Sequence, residues 1–392
     1  MKGRLHSERL RRLTSDIFAE LAQARREVEA SGRQVIDLGV GSPAFPPSLV
    51  LRQALSQYVL APESFGYPLE GLPSFQREVS RWYQFRFGVD LDPGKEVLVL
   101  MGSQDGLAHL AQALLNPGDR ALIPNPHYPI YATSILLAGG EIDYLPLRAE
   151  RGFLPDLAAV PERIARQAKL MLLNYPSNPL AAVADLDFYA EVVTFAKRYD
   201  ILVAHDAAYS ELSFDGLVPP SFLQVPGAKD VGVEFHSLSK SFNLAGCRIG
   251  MLVGNRNVVA ALAKLKANID YGTFLPIQRV AELALRLDRE GKGEKVAPLY
   301  QSRRDVLLHG LSLAGWDIPK PKATMFAWAP VPQGWSSRGF ARRLLEEAGV
   351  VVTPGDAFGS MGEGYVRIAY VHDEETLRLA AERIKANRFW QA

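Results

Sequence analysis

From about residue 95 onward, hydrophobic positions come in short β-rich runs separated by amphipathic stretches. The runs are Val97–Met101, Ala121–Ile123, Ile142–Leu145, Leu170–Leu173, Ile201–His205, Val233–His236 and Ile249–Val253. This alternation predicts an α/β sheet, mostly parallel and covered by crossover helices. One crossover begins near Asp185, with Leu186, Tyr189, Ala190 and Val193 expected to face inward. Asp185 and Asp187 at its start, with Lys197 and Arg198 at its end, complement the helix dipole. After about residue 280 the pattern changes to a long charged helix, short strands near Met325–Ala329 and Tyr365–Ala369, and a terminal helix from Glu374 to Ala386. These predict a second, smaller α+β domain.

The isolated run Val35–Leu38 is expected to join the small domain rather than the main sheet. The expected division is 1–47 as an N-terminal arm and part of the small domain, 48–280 as a three-layer α/β/α large domain, and 281–392 as the small C-terminal domain. Near the start, Leu10, Leu13, Ile17 and Leu21 alternate with Glu8, Asp16 and Glu20, a pattern for an amphipathic helix. Lys2, Arg4, Arg9, Arg11 and Arg12 alone would suggest a transit sequence, but these acidic residues argue against one.

With 44 basic and 43 acidic residues, the net charge of +1 gives no electrostatic reason to bind nucleic acid or an anionic membrane. No apolar run approaches the roughly 20 residues that a bilayer span requires. The single cysteine, Cys247, cannot close an internal disulfide, which fits a reducing cytoplasm. The seven histidines are scattered and HExxH is absent, so no metal is expected. The absence of GxGxxG and GxxxxGK[ST] turns the reading away from dinucleotides and nucleoside triphosphates.

Three strand ends carry candidate chemistry. Gly102-Ser103-Gln104-Asp105-Gly106 opens a helix whose free N–H groups, with the Ser103 hydroxyl, suit a phosphate. Asp206 and Tyr209 follow one later strand, and Ser237, Ser239 and Lys240 another. Singly, Asp206 would be a helix cap and Lys240 a solvated lysine. Together they suggest more, because ligands of α/β sheets gather where strands end. Partial burial and a nearby Arg248 would lower the amine pKa and favour a Schiff base. An aspartate on a neighbouring strand could keep a pyridinium nitrogen protonated, the pairing that makes pyridoxal 5′-phosphate (PLP) an electron sink.

The ordered segments Asn174-Tyr175-Pro176-Ser177-Asn178-Pro179, Asp206-Ala207-Ala208-Tyr209, Ser237-Leu238-Ser239-Lys240-Ser241-Phe242-Asn243 and Gly246-Cys247-Arg248-Ile249-Gly250 carry a specific likeness. The sequence resembles PLP-dependent aminotransferases of fold type I, class I/II, over nearly the whole chain. The resemblance implies that Lys240 holds the cofactor as a Schiff base and later shuttles a proton between the substrate α-carbon and C4′. It implies that Asp206 pairs with the pyridinium nitrogen, that Asn178 and Tyr209 bond the phenolic oxygen, and that Tyr128 stacks on the ring. Ser103, Gln104, Ser237, Ser239 and Arg248 would hold the phosphate.

By the same resemblance, Tyr67 reaches the phosphate of a neighbouring subunit, which implies a homodimer. Arg367 would grip the substrate α-carboxylate through two parallel hydrogen bonds, with the Gly41 backbone and Asn178 beside it. Amino acids and 2-oxo acids are the implied substrates, with glutamate and 2-oxoglutarate as the second pair. Leu180-Ala181 and Cys247 stand where most relatives have Thr-Gly and Trp, a departure that touches packing near the cofactor.

Arg81-Trp82-Tyr83, Gly152-Phe153-Leu154-Pro155-Asp156-Leu157 and Pro219-Pro220-Ser221-Phe222 resemble the LL-diaminopimelate aminotransferases within this family. Alanine, aspartate and other neutral amino acid transaminases remain the alternative, and the segment Asn268–Phe274 leans toward the alanine type. A PLP-dependent carbon–sulfur lyase would share the same cofactor site.

Overall fold

The structure, a computed structural model, describes residues 7–13, 17–30, 32–43, 45–387 and 389. A first short strand, β1 (Ile36–Asp37), precedes the main sheet. That sheet contains β2 (Val97–Leu100), β3 (Arg120–Asn125), β4 (Glu141–Pro146), β5 (Ala168–Asn174), β6 (Leu202–Asp206), β7 (Gly232–Ser237) and β8 (Gly250–Gly254). Each predicted run coincides with one of these strands to within one residue at its ends or lies inside it. Their order is β2-β8-β7-β6-β5-β3-β4, with β8 antiparallel to both of its neighbours and every other pairing parallel.

The runs are nearly continuous in hydrophobicity because helices cover both faces of the sheet. Along β5, Met171 and Leu173 enter one core with Phe75, Val79 and Trp82, while Leu170 and Leu172 enter the opposite core with Leu107, Leu110 and Ile135. This is the period-two alternation of a strand buried on both sides. Each fully buried leucine contributes on the order of 1.5–3 kcal/mol relative to exposure.

The helix Leu186–Tyr199 begins where predicted, with the Asp185 carboxylate accepting from the Phe188 N–H at 2.9 Å. Its inward stripe is Phe188, Tyr189, Val192, Val193 and Ala196, so the expected inward positions Leu186 and Ala190 are corrected to outward ones. The buried stripe follows i, i+4 spacing from Phe188 and Tyr189, which leaves Leu186 and Ala190 on the solvent side.

Toward the C-terminus, β9 (Phe326–Pro330), β10 (Val350–Val351), β11 (Thr353–Pro354) and β12 (Tyr365–Ala369) follow. β9, β12 and β11 form an antiparallel sheet, and β1 pairs with β10 in parallel, so Ile36 sits beside Val350 as expected for a segment outside the main sheet. Helices Ala297–Leu313 and Glu374–Ala386 supply Tyr300, Leu307, Leu377 and Ile384 to the core around Met325 and Ile368.

The expected long charged helix is two helices, Leu275–Arg289 and Ala297–Leu313, interrupted at Gly291, whose φ is +70°. Val280, Ala281, Ala284 and Leu285 of the first pack with Phe75, Val79 and Trp82, so the expected boundary at residue 280 falls inside a helix of the large core. The N-terminal amphipathic stretch is likewise two helices, Glu8–Arg11 and Ile17–Ala30, with a turn at Arg12. Lys2, Arg4 and Asp16 lie outside the described residues. Among the described residues no helix is long and apolar enough to cross a membrane.

Candidate functional site

Three adjacent parallel strands, β5, β6 and β7, end on Asn174, Asp206 and Ser237. Their ends open into a cavity of about 420 Å³. Its lining includes Gly41, Ser103, Gln104, Tyr128, Asn178, Asp206, Tyr209, Ser237, Ser239, Lys240, Arg248 and Arg367. The structure thus brings together every site residue named from the sequence except Tyr67. Tyr67 lies on the surface, 84% exposed, with its ring 5.7 Å from that of Tyr271.

Lys240 sits in the short helix Leu238–Ser241, which the Ser237 hydroxyl caps by accepting from the Ser239 N–H at 3.2 Å. Its Nζ donates to the Gly41 carbonyl at 3.0 Å. Burial, followed by the positive charges of Arg367 and Arg248, brings its pKa down to about 8. A lysine so placed carries a substantial neutral fraction near physiological pH, as a nucleophilic amine requires.

Asp206 is buried at the end of β6, and burial pushes its pKa up. The Tyr131 hydroxyl at 2.8 Å and the Ala208 N–H at 3.2 Å donate to its carboxylate and oppose that rise. Asn174 braces the same corner, donating to the Asp206 carbonyl and accepting from the Asn178 N–H, both at 2.7 Å. The Tyr128 hydroxyl donates to Gln104 at 2.9 Å.

Arg248 adopts a left-handed φ of +52° and lies across Gly102, the residue that precedes the helix Ser103–Leu114. A methyl group on Gly102 would come within 2.5 Å of an Arg248 Nη atom, and the φ of +79° there also favours glycine. This close approach puts a guanidinium and the free N–H groups of a helix start on one spot, which is an anion cradle.

Arg367 is buried on β12. Its Nη1 donates to Asn178 Oδ1 at 2.8 Å and its Nη2 to the Gly39 carbonyl at 2.7 Å. Its Nε is buried and has no hydrogen-bond partner among the described residues. Burial lowers its pKa to about 10. A buried cation with spare N–H donors is prepared for an incoming carboxylate.

These groups fit PLP. The cradle at Gly102 suits a phosphate, Asp206 is a buried carboxylate held by two neutral donors and so suits a ring N–H, and Lys240 is an amine of lowered pKa in the same cavity. Tyr131, Asn174 and Phe326 also line the cavity, although the sequence pattern assigned them no role. The spacing of Tyr131 from Tyr128, one helical turn, is the signal that could have pointed to the first of them.

Fold and site together define a PLP enzyme of fold type I. The chain belongs to the family described as aminotransferase class I and II, which residues 33–384 match, and it is a PLP-dependent aminotransferase. It is 48% identical over 381 residues to the LL-diaminopimelate aminotransferase of Moorella thermoacetica, covering 97% of each chain. It is 46% identical over 384 residues to the LL-diaminopimelate aminotransferase of Syntrophobacter fumaroxidans, covering 98% of this chain and 99% of the relative. The substrate-bound structure of BacF from Bacillus subtilis superposes with a TM-score of 0.93 at 38% identity, covering 98% of both chains.

Proposed function

We propose that this aminotransferase acts on LL-diaminopimelate, with glutamate and 2-oxoglutarate as the second pair. Two relatives bearing that name, each matched over nearly its whole length, support the substrate. The observation that carries the mechanism is that Lys240, Asp206 and Arg367 face one cavity. PLP, when bound, supplies an electron sink conjugated to the substrate's α-carbon.

In this reading Lys240 would hold the cofactor through Nζ and would move the substrate's α-proton as a general base and then acid. Asp206 would keep the ring nitrogen protonated, and the Tyr131 hydrogen bond would favour its carboxylate form. Asn178 and Tyr209 would bond the phenolic oxygen and Tyr128 would lie against the ring. Ser103, Gln104, Ser237, Ser239 and Arg248 hold the phosphate. Arg367, assisted by Asn178 and the Gly41 backbone, binds the substrate α-carboxylate.

The enzyme works as a homodimer in this account, with Tyr67 completing the partner's phosphate site. The support is an exposed apolar patch of Leu60, Phe65, Tyr67, Leu69 and Tyr271, each more than half exposed. The single cysteine supports placement in the cytoplasm. We also retain the functional division into an N-terminal arm, a cofactor-binding large domain and a C-terminal small domain, with the arm working alongside the small domain through the pairing of β1 with β10.

Single-turnover reactions with LL-diaminopimelate, alanine, aspartate and glutamate, followed by mass spectrometry of the 2-oxo acid products, test the substrate. LL-diaminopimelate should outrun alanine and aspartate by about a hundredfold in kcat/KM. Faster conversion of alanine would move the enzyme to the neutral amino acid transaminases.

A further inference from the structure

Arg367 has two ring neighbours that the reaction scheme leaves unused. Its guanidinium carbon lies 4.3 Å from the ring centroid of Phe326 and 4.7 Å from that of Phe358. Strand register places Arg367 opposite Trp328 and Phe326 opposite Ala369, so Phe326 and Arg367 are diagonal neighbours on one face of β9 and β12. Phe326 lines the cavity, is almost fully buried, and meets Tyr209 edge-on with centroids 5.8 Å apart.

The same ring sits directly over Gly41. A methyl group there would fall 2.3 Å from both Cε1 and Cζ of Phe326, a separation that carbon atoms do not tolerate. Thus one aromatic side chain touches the carboxylate-binding arginine, borders Tyr209 and sets the clearance of the Gly41 backbone.

The backbone that aims this ring is strained. Thr324, two residues before it, has φ +73°, a conformation unfavourable for a β-branched residue. Three hydrogen bonds hold it: Thr324 N–H to the Leu212 carbonyl at 2.7 Å, Phe326 N–H to Thr324 Oγ1 at 3.1 Å, and Tyr370 hydroxyl to the Thr324 carbonyl at 3.1 Å. Strain that the surroundings over-determine marks a place where geometry is held for a purpose.

We propose that Phe326 is a positioning residue for substrate binding, one that holds the Arg367 guanidinium in place and restricts position 41 to glycine. The inference rests on the role given above to Arg367. Two neutral oxygens and two aromatic faces orient the guanidinium, while Nε and one hydrogen on each terminal nitrogen stay available to a carboxylate. Without the ring, the cation keeps its charge but loses its fixed plane.

Holoenzyme variants Phe326→Leu, Gly41→Ala, their combination and Arg367→Lys test this through KM, kcat, cofactor dissociation and the inhibition constant of propionate, a carboxylate that cannot react. Phe326→Leu should raise KM and the propionate constant about tenfold, with kcat and cofactor dissociation within about twofold of wild type. Gly41→Ala should raise KM further. The double variant should be no worse than Phe326→Leu alone, because leucine lacks the Cε1 and Cζ atoms that the new methyl would meet.

Multiplicative effects in the double variant, or a loss confined to kcat or cofactor affinity, would overturn the inference. Arg367→Lys separates its failure from that of the underlying reading. If Arg367→Lys raises KM and Phe326→Leu does not, only the Phe326 role falls; if neither does, the carboxylate site itself is misassigned and both fall. Should Phe326→Leu not fold, Phe326→Met carries the same KM comparison, and an unchanged KM there also overturns the inference.

Discussion

The Tyr131 hydroxyl donates a 2.8 Å hydrogen bond to Oδ2 of Asp206, and both residues are buried. Burial alone drives the Asp206 carboxyl upward, and this bond is the largest of the influences that pull it back. Tyr131→Phe removes the donor without emptying the space. The Asp206 pKa then rises further, so the carboxylate that should accompany the ring nitrogen protonates at higher pH. Cofactor affinity should fall by roughly tenfold, in line with about 1.5 kcal/mol for a hydrogen bond to a charged group. The acid limb of the pH–rate profile should move toward neutrality. Titration of the cofactor-free variant with PLP, together with the pH profile, reads both, and an unmoved acid limb would contradict the role given to Tyr131.

Lys240 makes a second prediction. Its pKa is lowered to about 8 by burial and by two nearby guanidinium groups, so the neutral amine predominates above that pH, well below the point where exposed lysines lose their protons. In the cofactor-free protein, reductive methylation of Lys240 should rise with pH to a plateau with its midpoint near 8. Arg367→Met removes one of the two cations, so its midpoint should lie higher. A profile identical to that of exposed lysines would show that the cavity does not tune this amine.

Glu234 bears on stability. Its fully buried carboxylate accepts from the Tyr83 hydroxyl at 2.9 Å, Ser221 at 2.7 Å, the Phe222 N–H at 2.9 Å, His205 at 2.8 Å and His236 at 3.2 Å. Burial pushes its pKa up, but the bonds from His205 and His236 outweigh burial and hold it far below the usual carboxylate range. A depressed carboxylate pKa stabilises the fold above the pKa of the unfolded chain, and the contribution disappears as pH falls toward the folded value. Glu234→Ala orphans five donors under β6 and β7 and should cost about 3–5 kcal/mol at neutral pH. The loss should shrink in acid. Denaturant unfolding at both pH values measures it, and a neutral-pH cost below about 1 kcal/mol would contradict this account.

Local signals made the main sheet legible. Most of the seven β-rich runs are buried on two faces, which leaves a continuous apolar stretch; the run at edge strand β4, where only Leu145 is buried, is the exception. The strand-end residues Asp206 and Lys240 were readable for a related reason, since polar groups at the ends of buried strands are conspicuous. Tyr131 and Phe326 were not. Tyr131 meets Asp206 across 75 residues of chain, and it reads as an ordinary core position of the apolar helix Ile130–Ala138. Phe326 acquires its role only when β9 pairs with β12 and Gly41 arrives from the far end of the sequence. The interruption at Gly291 and the turn at Arg12 were hidden because charged amphipathic patterns continue through both.

The central claim is that Lys240 is the residue that holds the cofactor. Borohydride reduction of the PLP-loaded enzyme, followed by proteolysis and mass spectrometry of the peptides, tests it most directly. The cofactor's mass should appear on the peptide containing Lys240, with no such adduct in Lys240→Ala and a loss of transamination of at least roughly 10³-fold in that variant. An adduct on another lysine, or undiminished turnover in Lys240→Ala, would contradict it.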